Sequence, residues 1–166
     1  MKVVEPGWLK HARTYLGTAE IPGKATAPTI ARWLRQLKSI WSDDETPWCG
    51  VFVGAVLQES GIPIAKNWFR ARAWLDWGVP LHKPALGCVV VYQRGGGGHV
   101  GFVVGTDMTG RIITLGGNQG NRVSIAPFDR LRVLGYRWPT DRFMELGGAG
   151  ELPILKSTGP SSWGEA

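Results

Sequence analysis

Cys88-Val89-Val90-Val91-Tyr92-Gln93-Arg94-Gly95-Gly96-Gly97-Gly98-His99-Val100-Gly101-Phe102-Val103-Val104 is the stretch that decides the fold. Two apolar runs, Cys88–Tyr92 and His99–Val104, stand on either side of four glycines and read as buried strands joined by a turn. On this reading the glycines form a flexible rim beside His99. The same texture continues through Arg111–Leu115, Arg122–Ile125 and Val133–Trp138, with Thr109-Gly110 as another turn. Upstream of Pro84 the apolar spacing is helical. Trp8, Leu9, Ala12, Tyr15 and Leu16 make one stripe, stopped by Gly17, and Ile30, Trp33, Leu34 and Leu37 make a second. Thr46 suits an N-cap and Pro47 a first helical position, so a third helix runs through Val51–Leu57 to Gly61. Arg70–Trp77 reads as a short fourth helix ending at Gly78. Helices first and short strands afterwards predict an α+β fold, with N-terminal helices packed on a five- to six-stranded, mainly antiparallel sheet.

The chain has 166 residues, of which 43% are hydrophobic, which suits one domain with a real core. We expect that domain over residues 1–140 and a Gly/Pro/Ser-rich, flexible tail over 141–166, in which Leu152, Ile154 and Leu155 are the residues able to dock. No long apolar run is present, so no membrane span is expected. Met1–Leu16 is broken by Glu5, Pro6, Lys10, His11 and Arg13 and has no signal-peptide centre. The expectation is synthesis in a bacterial cytoplasm and action after release or delivery by another system. A net charge of +6 suits a polyanionic partner. The basic residues are dispersed and no nucleic-acid module is visible, so nucleic acid is not expected as a partner.

Cys49 lies at the start of the third helix, where free backbone N–H groups and the helix dipole favour a thiolate. The plain alternative is a small core side chain, since free cysteines are among the most buried residues. A disulfide to Cys88 is a third option, which two cysteines and no secretory signal make unattractive. His99, at a strand start, is a matching base. Asn118, in Leu115-Gly116-Gly117-Asn118-Gln119, is a candidate to orient the imidazole, although Gly-Gly-Asn is also ordinary turn chemistry. His11 and His82 compete as bases but lie in a helix and in a Pro-flanked loop. Of nine tryptophans, Trp48, Trp68, Trp74 and Trp77 cluster around Cys49. Trp48 and Trp74, with Gln119, are the expected substrate contacts, against a default of core packing. No paired Cys or His spacing marks a metal site, and no cofactor is expected. Asp43, Asp44 and Glu45 are acidic enough for calcium, yet capping of the helix is the simpler role.

Pro47–Val53, Gly98–Gly105 and Leu115–Gln119, in this order, resemble the NlpC/P60 and CHAP superfamily of papain-like peptidoglycan amidases and endopeptidases. The Glu-Thr-Pro-Trp-Cys and Leu-Gly-Gly-Asn-Gln blocks are most similar to a CHAP-like subgroup of phages and prophages. The resemblance spans roughly Gly7 to Pro139. It implies a papain-like fold, catalytic Cys49 and His99, and Asn118 as third member. One departure is Cys88, where many NlpC/P60 relatives carry aspartate. The activity so implied is that of a cysteine hydrolase cutting an amide in the peptide part of bacterial peptidoglycan through a Cys49 acyl-enzyme. It would serve as a phage-type lysin or a cell-wall-degrading effector, monomeric and with an immunity or delivery protein as a possible partner. The rival is a non-catalytic wall-binding module of the same fold.

Overall fold

The computed structural model describes residues 5–21, 27–39, 48–139 and 152–156. Three α-helices precede the sheet: α1 (Gly7–Arg13), α2 (Pro28–Gln36) and α3 (Cys49–Glu59). α1 buries Trp8, Leu9 and Ala12, and α2 opens on Pro28 and buries Ile30, Trp33 and Leu34. These are the apolar stripes read in the sequence. α3 is apolar all round, and every residue from Cys49 to Leu57 is buried. Such a helix belongs in the centre of a domain. Phe52 shows why: its ring meets Tyr15, Trp33 and Phe102, with centroids 6.5, 5.6 and 6.0 Å away. Fully burying a side chain of that size contributes about 1.5–3 kcal/mol.

Both ends of α3 refine the sequence reading. Trp48, not Thr46, occupies the N-cap position, and no side chain caps the helix there. Thr46, Pro47 and the acidic Asp43–Glu45 lie outside the described residues. At the other end Gly61 adopts φ +77°, its N–H donates to the Gln58 carbonyl (3.0 Å) and the Ile62 N–H donates to the Leu57 carbonyl (2.9 Å). This Schellman arrangement needs the left-handed residue that glycine supplies.

Six strands, β1 (Val79–Leu81), β2 (Val89–Arg94), β3 (Gly97–Thr106), β4 (Ile112–Gly116), β5 (Ser124–Phe128) and β6 (Val133–Trp138), form one antiparallel sheet. Their order is β1-β6-β2-β3-β4-β5. The α+β architecture expected from the sequence is therefore the one adopted. Three details differ. The glycine run is not a loose rim, because Arg94 pairs with Gly97 and only Gly95-Gly96 form the hairpin loop. The stretch Arg70–Trp77 is a 3-10 helix over Ala71–Asp76, and it leads into β1, whose Pro80 hid it from the sequence reading. An edge strand tolerates proline because one side of it needs no donor. β5 starts two residues late because the Gln119 N–H donates to the Arg122 carbonyl at 2.9 Å and closes a turn there.

Residues 152–156, placed in the tail from sequence, run beside β3. The Thr106 N–H donates to the Pro153 carbonyl (3.0 Å) and the Leu155 N–H to the Thr106 carbonyl (2.7 Å). Leu152 and Leu155 pack against the core. The rest of the expected tail lies outside the described residues.

Candidate active site

The start of α3 abuts β3. Gly117, just past the end of β4, sits so close to Phe52 and Trp48 that an added Cβ would lie 2.7 Å from the Phe52 Cβ. Gly50 likewise has no room for a Cβ against the Trp68 carbonyl. These two glycines let the loops before β1 and after β4 close on the helix start. Cys49 is 7% exposed there. Burial pushes its thiol pKa up, and hydrogen bonding from the backbone of Val100, of Gly50 and of Cys49 itself, together with the Arg94 charge, works against that without cancelling it. The helix start thus does not hold a ready thiolate, contrary to the sequence expectation. Desolvation disfavours the charged form of the sulfur. Cys88, fully buried at the start of β2, is pushed up by burial to about 12 and is a core residue, with both thiols free.

The backbone contact at Val100 puts the Cys49 sulfur beside the residue that follows His99. Phe102, two residues further along β3, meets Phe52 of α3. The imidazole is fully buried, near-parallel to the rings of Phe128 (5.2 Å, 17°) and Tyr92 (6.3 Å, 21°). The Tyr92 hydroxyl is pinned in turn by the Thr114 hydroxyl at 2.6 Å. Burial, with a smaller contribution from Arg94, lowers the His99 pKa to about 4 against the opposing hydrogen bond that the ring donates to Gln119. The ring is therefore neutral at pH 7.

That hydrogen bond joins the ring to Gln119 and not to Asn118, the expected third member. His99 Nε2 lies 2.9 Å from Gln119 Oε1. Asn118 is buried at φ +58°, and the turn it makes delivers the next residue to the ring. The Gln119 amide is oriented by its far end, since its Nε2 donates to the carbonyls of Thr114 (3.2 Å) and Ser124 (2.8 Å). The oxygen must then face His99 and accept from it. This fixes the imidazole as the Nε2–H tautomer and leaves Nδ1 a lone-pair acceptor. Nδ1 is buried and has no hydrogen-bond partner among the described residues. No hydrogen bond joins it to Cys49 either. Gly116 makes room for the arrangement, because a Cβ there would strike Gln119 Oε1 and lie 3.3 Å from His99 Nε2.

The other expected contacts fall elsewhere. Trp48 is 1% exposed, with its indole N–H donating to Glu20 (3.3 Å), and Trp74 is 0% exposed, donating to the Trp68 carbonyl (3.0 Å). Both are core residues. Gln119 serves His99 and not a substrate surface. His11 pairs with Glu59 at 2.7 Å, at the far end of α3 from Cys49, and His82 is exposed. Arg94, which acts on both Cys49 and His99, had no signal in the sequence beyond preceding the glycine run. No cluster of His, Cys, Asp or Glu suited to a metal occurs among the described residues.

A helix opening on a cysteine, laid against an antiparallel sheet whose strand carries a histidine held by an amide, is the papain-like α+β arrangement. Residues 41–118 match the family model of the CHAP domain, which is consistent with the CHAP and NlpC/P60 superfamily. The match ends at Asn118, one residue short of Gln119. CHAP domains are in general amidases or peptidases of peptidoglycan. No curated protein matches the chain. Among the described residues no helix is long and apolar enough to cross a membrane.

Proposed function

We propose that this protein is a cysteine hydrolase that cuts an amide bond in the peptide moiety of peptidoglycan, with Cys49 as nucleophile, His99 as base and Gln119 as the residue that positions His99. The bare Nδ1 of His99, one residue along β3 from the backbone that holds the Cys49 sulfur, carries this reading. In the reaction the Cys49 proton moves to Nδ1 as the sulfur attacks the amide carbonyl. Backbone N–H groups at the start of α3 are suited to the oxyanion. The tetrahedral intermediate expels the amine, which takes the proton from Nδ1, and leaves an acyl-enzyme. Water, deprotonated by Nδ1, then releases the acid and restores the thiol. Proton transfer requires the imidazole to come within reach of the sulfur, a contact that free enzymes often complete only with substrate bound. The +6 charge suits the acidic polymers of a cell wall, in keeping with a phage-type lysin or a delivered effector.

The raised thiol pKa and the missing sulfur–imidazole hydrogen bond favour a second reading, a wall-binding module without catalysis. Digestion of purified peptidoglycan separates the two. Hydrolysis by the wild type, abolished in Cys49→Ser with binding retained, is the expected result. A Cys49→Ser protein as active as the wild type would remove the cysteine mechanism. Equal, purely adsorptive behaviour of both would establish the binding module.

A further inference from the structure

A groove of about 530 Å3 opens beside the β2–β3 hairpin, lined by Asn67, Arg70, Arg72, Asp76 and the backbone of Gly96–Gly98. A second hollow of about 380 Å3, walled by Ile64, Lys66 and Trp77, shares Asn67, Ala73 and Asp76 with it. The two form one trough along the 3-10 helix. Its ends tie it to the active site. Gly98 directly precedes His99, and the Trp68–Phe69 backbone that leads into the trough presses on Gly50 at the start of α3. The chemistry proposed above uses none of these side chains.

The trough carries uncompensated charge of both signs. Arg72 Nε donates to the Gly97 carbonyl at 3.0 Å, which steers the guanidinium over the hairpin and leaves its Nη groups for another acceptor. Arg70, Arg72 and Asp76 are all exposed, and none forms an ion pair among the described residues. A guanidinium is shaped for a carboxylate, which it can hold through two parallel hydrogen bonds, and a carboxylate suits an ammonium. Ile64, Ala73 and Trp77 give apolar wall for the aliphatic part of a ligand between such groups.

We propose that this trough binds a short peptide stem bearing both a free carboxylate and a free amine, Arg70 and Arg72 taking the carboxylate and Asp76 the ammonium. The proposal rests on the peptide-hydrolase reading and adds the part of the substrate that holds the stem beside Cys49 and His99. It is tested by calorimetric titration of the full chain carrying Cys49→Ala, so that binding is read without turnover. The probe is a synthetic stem peptide containing γ-linked D-glutamate and L-lysine, compared with a carboxyl-amidated and an amine-acetylated version. Amidation should weaken binding by about tenfold or more, and acetylation by about threefold, as expected for exposed charge pairs and guanidinium–carboxylate hydrogen bonds. The double variant Arg70→Gln/Arg72→Gln should bind the free peptide about tenfold less tightly and ignore amidation, and Asp76→Asn should ignore acetylation. Equal affinity for all three peptides, no binding, or variants that bind as the parent does would each overturn the proposal. Wild-type hydrolysis measured in parallel keeps the two readings apart. Hydrolysis with an indifferent trough refutes the trough alone, and a selective trough on a chain that cleaves nothing refutes the hydrolase reading alone.

Discussion

His99 is the residue on which the site turns, and its environment makes two predictions. Gln119 fixes the ring tautomer, so Gln119→Ala should lower turnover on the order of ten- to a thousandfold with little change in KM, and more than Asn118→Ala does. The 15N shifts of the imidazole should report Nε2–H in the wild type and lose that signature in Gln119→Ala. A purely structural amide would leave the tautomer unchanged. The second prediction is thermodynamic. The folded pKa is about 4, against 6.5 for an ordinary histidine. Between those values the unfolded chain binds a proton that the folded chain refuses. Stability is therefore full above pH 6.5 and falls as pH drops towards 4, by up to about 3 kcal/mol from this group. Denaturant midpoints at pH 7.5 and 4.5 should show that loss, and His99→Gln should flatten it. An equal slope in both proteins would mean that His99 is not buried neutral.

At the scale of elements, the joint between α3 and the end of β4 depends on the close approach that Gly117 allows. Gly117 leaves Phe52 and Trp48 no space for a methyl group. Gly117→Ala should therefore cost about 1–3 kcal/mol, several degrees in Tm, and should reduce activity further by lifting the 117–119 turn from its place. Thermal melts and peptidoglycan digestion of the same variant check both halves, and a variant with unchanged Tm would show that the joint yields. The sequence offered Gly116 and Gly117 as allowing a close approach of backbone, without naming the neighbour. For Gly117 that neighbour is Phe52, 65 positions earlier, which no local pattern reports.

For the whole molecule, the short segment 152–156 decides whether the domain ends at β6. Two backbone hydrogen bonds and the packing of Leu152 and Leu155 tie it to β3. Removing residues from 152 onwards should cost about 2 kcal/mol, roughly 4–8 °C in Tm, and a truncated chain that melts with the full one would show the segment to be dispensable. The order of elements was legible in the sequence, because helical stripes such as Trp8-Leu9-Ala12 and valine runs such as Val89–Val91 are local periodicities that one face of a core imposes. Cys49 and His99 were legible as residue types at element starts. The sequence could not say that the turn at Asn118, with its positive φ, brings Gln119 to the imidazole. Nor could it say that Trp48 and Trp74 face inward, or that Pro80 sits in a paired edge strand. It also placed the Cys49 thiol at a favourable dipole without showing the burial that raises its pKa. Each of these depends on which distant atoms surround a group and how much water they exclude. Pairing and desolvation exist only once the chain has folded.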